Sequence, residues 1–325
     1  MNSSQAPLPP EEDRLYLSVV APCYNEESVI EELYKRVTSL CQKHGYSYEI
    51  VLVNDGSLDS TWEIHQQLCA NDPEHMVAVN LSRNFGHQLA LSAGLSVCRG
   101  ERILIIDADL QDPPELLPDM LRKMDEGAEV VYGVRRTRYG DSFLKRTACT
   151  VFYRCLLLLS DYPIPLDSGD FRLINRRVLD ALNSMPERHR FLRGMISWIG
   201  YNQVPIHYDR DSRFAGETKY PLRRLIALAI DGITTFSVKP LRLSFISGLG
   251  ALLFSLLLFI YAIISWYFFP DAPRGWASLM VVVSMLGGMQ LFVLGILGEY
   301  LGRVYEQSKS RPLFLIESIK RDSMQ

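Results

Sequence analysis

Three short polar clusters in this 325-residue sequence hold side chains suited to binding chemistry. Pro22-Cys23-Tyr24-Asn25-Glu26-Glu27, Asn54-Asp55-Gly56-Ser57 and Asp107-Ala108-Asp109-Leu110-Gln111-Asp112 each follow a run of β-prone apolar residues. Together they would make an acidic rim carrying aromatic and amide groups. Such carboxylates repel a diphosphate unless a divalent cation sits between them, and hard oxygen ligands suit Mg²⁺ or Mn²⁺. Asp107 and Asp109 stand two apart, so extended backbone projects both to one side with Gln111 next in line. These three are the candidate metal residues. A solvated loop or helix cap would use the same triplet, and its position after Ile103-Leu104-Ile105-Ile106 is what favours the metal. Asp55 at a strand end can cap a turn or accept hydrogen bonds from a base or ribose, with Ser57 or Asp59 as alternative caps. Arg83-Asn84-Phe85-Gly86-His87, after the third strand, is a fourth rim segment that faces the donor or that a turn and helix start explain equally well, and His87 is given no catalytic role.

Clusters of this kind need elements that end side by side. Leu15–Ala21, Tyr48–Val53, Met76–Leu81, Arg102–Ile106 and Glu129–Val134 read as strands alternating with helical patterns, the signature of βαβ units. The first intervening segment places Ile30, Leu33, Tyr34, Val37, Leu40 and Cys41 on one helical face, which packs on a sheet. The expected fold is α/β with a mostly parallel open sheet, whose ligands bind outside the carboxyl ends of the strands. No GxGxxG or GxxxxGK[ST] stretch is present, so hydride transfer and P-loop phosphoryl transfer lose their usual supports.

A composition of 48% hydrophobic and 22% charged residues excludes disorder, collagen and a disulfide miniprotein. With 34 Lys+Arg against 37 Asp+Glu the net charge is -3, so no global basic field points to nucleic acid. Six cysteines without a CxxC pair or zinc spacing read as reduced thiols of a cytosolic catalytic domain.

The apolar residues are concentrated near the C-terminus. Leu243 to Phe269 contains no ionisable side chain other than Tyr261 and Tyr267, and Trp276 to Gly298 has Gln290 as its only strongly polar residue. Both runs exceed the ~20 residues that a helix needs to cross a bilayer, and soluble core helices seldom lack a polar face over such lengths. The expected organisation is a loose tail over 1–14, a catalytic domain over 15–220 and a juxtamembrane amphipathic segment over 221–242. Transmembrane helices over 243–269 and 276–298 and a cytoplasmic tail over 299–325 complete it. Arg223, Arg224, Lys239 and Arg242 before the spans and Arg303, Lys309 and Arg311 after them, against Arg274 alone in the linker, put both termini in the cytoplasm. Met1–Arg14 lacks a signal-peptide pattern. Phe143–Leu159 and Leu222–Phe236 are basic and amphipathic, which fits helices lying in the membrane surface as well as core-facing helices. Arg135, Arg136 and Arg138, with Arg213 and Lys219, are candidate partners for an anionic headgroup, since guanidinium forks match phosphate oxygens. For the first three, a solvated basic surface is the plain alternative.

Val20-Ala21-Pro22-Cys23-Tyr24-Asn25-Glu26, Val53-Asn54-Asp55-Gly56-Ser57 and Asp107-Ala108-Asp109-Leu110-Gln111 resemble the motifs of family 2 glycosyltransferases with the GT-A fold. Asp167-Ser168-Gly169-Asp170-Phe171-Arg172-Leu173, Arg213-Phe214-Ala215-Gly216-Glu217-Thr218-Lys219-Tyr220 and the two spans narrow the resemblance. The whole pattern, from Leu15 to Arg311, is similar to the bacterial polyprenyl-phosphate glycosyltransferases, relatives of dolichyl-phosphate mannose synthase. The resemblance assigns Pro22, Tyr24, Asn25, Glu26, Asp55 and Asp107 to the donor nucleotide. It assigns Asp107, Asp109 and Gln111 to the metal and diphosphate and places the loop of Arg213 and Lys219 near donor and acceptor phosphates, while Arg135, Arg136 and Arg172 complete the candidate phosphate-binding set. Asp170 falls at the position of the family's proposed base, with Asp167 the second candidate and Asp109 catalytic through the metal. Turn capping by Asp167 or Asp170, and an ion pair for Arg172, are the plain alternatives.

The reaction so implied is inverting transfer of a single sugar from a nucleotide sugar, UDP-glucose by first choice, to polyprenyl (undecaprenyl) phosphate for envelope glycan modification. A phosphate monoester with a second pKa near ~6 is mostly deprotonated at neutral pH, so Asp170 would position the acceptor rather than take a proton. The Gln-x-x-Arg-Trp sequence of processive synthases is absent. The resemblance further implies a multi-pass protein of the bacterial inner membrane and a homo-oligomer, dimer or tetramer, which Gly298-x-x-x-Gly302 could support. A transferase to a lipid alcohol such as diacylglycerol or ceramide, and a membrane-tethered nucleotide-sugar sensor, are the competing readings.

Overall fold

The computed structural model describes residues 15–135, 168–209, 237–268 and 275–321. The described residues divide into two compact units, one built on a sheet and including the chain after Pro312, the other built on two long helices and ending at Arg311.

All five expected strands form, within two residues of the predicted bounds: β1 Leu17–Cys23, β2 Tyr48–Asn54, β3 Met76–Leu81, β4 Arg102–Ile105 and β5 Val130–Arg135. Every residue of β1 and β2 is buried, the mark of central strands covered on both faces. Between them run α1 Ile30–His44, α2 Thr61–Asn71, α3 His87–Val97 and α4 Leu117–Asp125. Ile30, Leu33, Val37 and Cys41 form the buried stripe of α1, as the helical spacing predicts. β6 Ser168–Asn175, α5 Arg176–Ser184, α6 Leu192–Ile199 and β7 Gln203–Tyr208 follow. The sheet reads β7-β5-β6-β4-β1-β2-β3-β8, with β8 Ile316–Lys320 at one edge. β4, β1, β2 and β3 are parallel, β6 is antiparallel to both β4 and β5, and β8 is antiparallel to β3.

Two segments depart from expectation. The segment around Asp170, whose plain reading was a turn cap, is the interior of β6, where buried Asp170 and Arg172 sit two apart on a face that the alternation rule would make apolar. Residues 299–325, expected as a tail, continue the second long helix to Ser308 and then supply β8. This edge strand is only five residues long, and its partner β3 lies more than two hundred residues earlier, so no local pattern announces the pairing.

The second unit contains α7 Lys239–Phe268 and α8 Trp276–Ser308, which overlap the two expected spans, α7 beginning before Leu243 and α8 running on past Gly298. Both are long and apolar enough to cross a membrane. Leu243, Phe245, Leu252 and Phe259 on α7, and Val281, Leu291, Phe292 and Leu301 on α8, are exposed, a surface suited to lipid and not to water. The Tyr300 hydroxyl donates to the Ser237 carbonyl at 2.6 Å, tying α8 to the start of α7. Cys23, Cys41, Cys69 and Cys98 are free, and burial pushes the Cys41 and Cys98 thiols up to about 12, so they are inert packing groups. The tail over 1–14 and both amphipathic segments, Phe143–Leu159 and Leu222–Phe236, lie outside the described residues.

His65 on α2 is fully buried and neither ring nitrogen makes a hydrogen bond. Burial, against a smaller opposing field from Asp59, pushes its pKa down to about 3. The unfolded chain takes up this proton below about pH 6.5 and the folded one only near 3, so stability falls with decreasing pH across that window by up to ~1.4 kcal/mol per pH unit. His65→Leu is expected to raise the thermal midpoint at pH 7 and to flatten the acid limb between pH 6.5 and 3. Thermal melts of the full chain in detergent across that range would count against this account if the two proteins kept parallel pH profiles.

Candidate active site

β1 and β2 end level with each other, Cys23 opposite Asn54, so the loops that follow them touch. Asn25 adopts a left-handed conformation (φ 55) that Asn tolerates better than most residues. Its N–H donates to Ser57 Oγ at 3.0 Å and its Oδ1 accepts from the Leu58 N–H at 2.8 Å. The Glu26 N–H donates to Thr61 Oγ1 at 3.0 Å. Pro22 is buried in β1, whereas the Tyr24 ring is 46% exposed at the rim. Asp55 is buried and accepts from the Phe85 and Gly86 N–H groups at 2.7 and 2.9 Å. Burial pushes its pKa up and these two bonds oppose the shift. Both Asp55 oxygens therefore already hold the loop after β3. Gly56 makes that approach possible: it sits at φ +64, and a Cβ there would lie 2.5 Å from the Asn84 nitrogen.

Beyond β4 the chain continues the strand's alternation, with Ala108, Leu110 and Asp112 buried and Asp107, Asp109 and Gln111 half-buried. Leu110 holds a left-handed φ of 58°, a conformation that costs a branched residue about 1–2 kcal/mol and is held here by core packing. Asp109 Oδ1 accepts from the Gln111 N–H at 3.2 Å, closing the loop on itself. Asp112 accepts from the Tyr208 hydroxyl of β7, and Arg135 Nε donates to the same hydroxyl at 3.4 Å.

Asp170 reaches this loop through strand register. Ile105 of β4 lies opposite Arg172 of β6, and the antiparallel pairing carries Asp170 level with Asp107. The Asp170 carboxylate accepts from Arg193 Nε at 2.7 Å, Arg193 Nη2 at 3.2 Å and Gln88 Nε2 at 3.0 Å, and lies 3.2 Å from His87 Nε2. Burial opposes its charge, but the Arg193 guanidinium and the His87 imidazole outweigh burial and hold Asp170 well below the usual carboxylate range. His87 Nε2 is also 3.4 Å from Asp107 Oδ1. Burial disfavours the imidazolium, yet the bond to Asp170 and the charges of Asp107 and Asp170 raise His87 to about 9. Asp107 moves up to about 6 through burial, with Asp170, Asp112 and Asp109 adding to the shift and His87 opposing it.

A protonated imidazole thus bonds to Asp170 and faces Asp107, whose buried Oδ1, 3.4 Å from the ring nitrogen, accepts no hydrogen bond. His87, Asp107 and Asp170 offer ligand atoms within 4.8 Å of one another, so the two carboxylates can face a hard divalent cation, and His87 joins them as a ligand only after its imidazole releases its proton. Asp109, expected as a metal residue with Gln111, is on the same loop but outside that group.

Arg172 is buried and its Nη2 donates to the Gly169 carbonyl at 3.0 Å. Burial pushes its pKa down to about 10, so it remains a cation at neutral pH. Arg135 lies on Gly169, where a Cβ would be 2.9 Å from its Nη2. Arg135, Arg172 and Arg193 thus surround the Gly169-Asp170 segment with three guanidinium groups. Asp167, Arg136, Arg138, Arg213 and Lys219 lie outside the described residues. Sequence reasoning put His87 on the rim without a role and did not single out Gln88 or Arg193. The first two follow the Gly86 turn at a strand's carboxyl end, which is a usable signal, whereas Arg193 is one arginine on a short helix with nothing local to mark it.

Residues 18–182 match the family model described as "Glycosyl transferase family 2", and residues 239–304 match "GtrB C-terminal hairpin". An uncharacterized glycosyltransferase of Bacillus subtilis is 45% identical, over 92% of this chain and 93% of its own length. The bactoprenol glucosyl transferase of Shigella phage SfX is 40% identical, over 94% of this chain and 99% of its own. Among solved structures, a mannosyltransferase of Pyrobaculum calidifontis in complex with GDP-Man and Mn²⁺ aligns with a TM-score of 0.47 and 18% identity, covering 86% of this chain and 87% of that one. The first family model spans the sheet and the acidic rim, the second spans the long helices, and the relatives are similar over nearly the whole length. The chain therefore belongs to glycosyltransferase family 2, with a GT-A catalytic domain followed by a hairpin of two candidate transmembrane helices.

Proposed function

We propose that this enzyme transfers one glucose from UDP-glucose to a polyprenyl phosphate, with inversion, at the cytoplasmic face of a bacterial inner membrane. Its similarity to bactoprenol glucosyl transferases of Shigella phages supports the sugar and the lipid class. The observation that carries the reading is the state of Asp170. Pinned by Arg193, Gln88 and His87 and held as a low-pKa carboxylate, it is a poor proton acceptor. The acceptor must then bring a nucleophile that is already deprotonated, as a lipid phosphate does and a lipid alcohol does not.

In this mechanism a phosphate oxygen of the acceptor bonds to the anomeric carbon as the bond to the nucleoside diphosphate breaks, and the electron pair leaves on the diphosphate. The loops carrying Pro22, Tyr24, Asn25, Glu26 and Asp55 receive the nucleotide. Asp107, with Asp109 and Gln111 beside it and His87 and Asp170 facing it, would hold Mg²⁺ or Mn²⁺, which when bound neutralises the departing diphosphate. Arg135 and Arg172 contribute fixed positive charge for phosphate, joined by Arg136, Arg213 and Lys219. Asp170 orients His87 and Arg193 and takes no proton. The membrane topology has independent support: β7 precedes the hairpin and β8 follows it, yet both belong to one sheet, which cannot be divided by a bilayer.

The test is transfer of labelled sugar from a panel of UDP- and GDP-sugars to a short polyprenyl phosphate by detergent-purified enzyme, with Mg²⁺ or Mn²⁺ and then with EDTA. The expected result is a chloroform-soluble product from UDP-glucose that EDTA abolishes. Product from a lipid alcohol alone, or nucleotide binding without transfer from any donor, would overturn the proposal.

A further inference from the structure

The strand that follows the second long helix begins beside the loops that brace the donor side. β8 pairs with β3 through a bulge: Asn80 lies opposite Ser318 and Leu81 opposite Ile316, which leaves Glu317 as the extra residue. A bulge re-aims the side chain it carries. Here Glu317 Oε2 accepts from Asn80 Nδ2 at 2.8 Å. Asn80 Oδ1 accepts from Asn54 Nδ2 at 2.7 Å, and Asn54 Oδ1 accepts from the Ser57 N–H at 3.1 Å. Ser57 Oγ in turn accepts from the Asn25 N–H, and Asn25 Oδ1 accepts from the Leu58 N–H. The series is unbroken from β8 across the carboxyl ends of β3 and β2 to both donor loops.

The side-chain amides of Asn80 and Asn54 each have a fixed orientation because oxygen and nitrogen are both engaged. An acceptor at 317 selects the flip of Asn80, and Asn80 selects the flip of Asn54. The strand itself is firmly seated: Arg321 Nη2 donates to the buried Glu49 carboxylate at 3.1 Å and to the Val97 carbonyl at 2.9 Å.

We propose that Glu317 is a positioning residue for donor binding, acting through Asn80 and Asn54 on the loops that carry Ser57 and Asn25. This rests on the reading that those loops receive the nucleotide. The segment beyond the membrane hairpin then completes the donor side of the sheet. The experiment compares Glu317→Ala and Glu317→Gln in the full chain in detergent, using donor kinetics and amide hydrogen exchange without nucleotide. Glu317→Ala is expected to speed exchange over residues 55–61 and to raise the donor KM about fivefold, the worth of one solvent-exposed hydrogen bond, with kcat unchanged. Glu317→Gln keeps an acceptor oxygen and is expected to restore both. Unchanged exchange over 55–61 in Glu317→Ala, or a Gln variant as impaired as the Ala variant, would overturn the relay. Faster exchange with an unmoved KM for every nucleotide sugar would instead overturn the donor reading of these loops, and with it the role of Glu317 in binding.

Discussion

Asp107→Asn is expected to lower turnover by about 10³-fold, the scale lost when a group stabilising the leaving charge is removed, while leaving the protein at least as stable as the parent. Both halves come from one feature. The buried Asp107 Oδ1 makes no hydrogen bond, and Asp170, Asp112 and Asp109 add their repulsion to its burial, so the folded protein keeps this carboxylate at a cost. Neutralising it relieves that cost and removes the group best placed to face a cation. The same carboxylate, raised to about 6, predicts that metal affinity falls as pH drops through 6, because the proton and the cation compete for it. Transfer assays with a metal titration at pH 7.5 and 5.5, alongside thermal melts of both proteins, check this. A variant that is inactive and also much less stable would mean that Asp107 is structural.

Arg193→Ala is expected to be the most destabilising change near the site. It removes a two-pronged partner at 2.7 and 3.2 Å from a carboxylate buried inside β6. Breaking such a pair from one side costs about 3 kcal/mol when one partner keeps some solvent, or a midpoint shift of about 5–10 °C. Asp170 has a depressed folded pKa, so its contribution is complete above the unfolded value of ~3.9 and is lost as pH falls through the folded one. The deficit of Arg193→Ala should therefore be full at pH 7 and shrink below about pH 4. Adding Asp170→Asn to Arg193→Ala should recover part of the loss, since the uncompensated charge is then gone. Denaturation at both pH values would count against the ion pair as the cause if the single variant melted like the parent.

Local pattern settled a good part of this molecule. The alternation of apolar runs with amphipathic helices placed β1 to β5 and the buried stripe of α1, because a strand's burial and a helix's period are written in nearby residues. The apolar runs after Leu243 settled the two candidate spans for the same reason. Asp107 and Asp55 were legible because each lies just past a strand, and a sheet gathers its strand ends whatever their order.

The partners of those residues were decided elsewhere. Asp170 meets Asp107 only because β6 inserts antiparallel between β4 and β5, a pairing set by long-range register. His87 becomes a bridging cation only when both carboxylates arrive beside it, and Arg193 matters only because α6 places it against Asp170. β8 joins the sheet from beyond two long helices. In each case the energy lies in a contact between residues far apart in the chain, so neighbouring residues define the elements and the rim, whereas long-range packing selects which charges on that rim face one another.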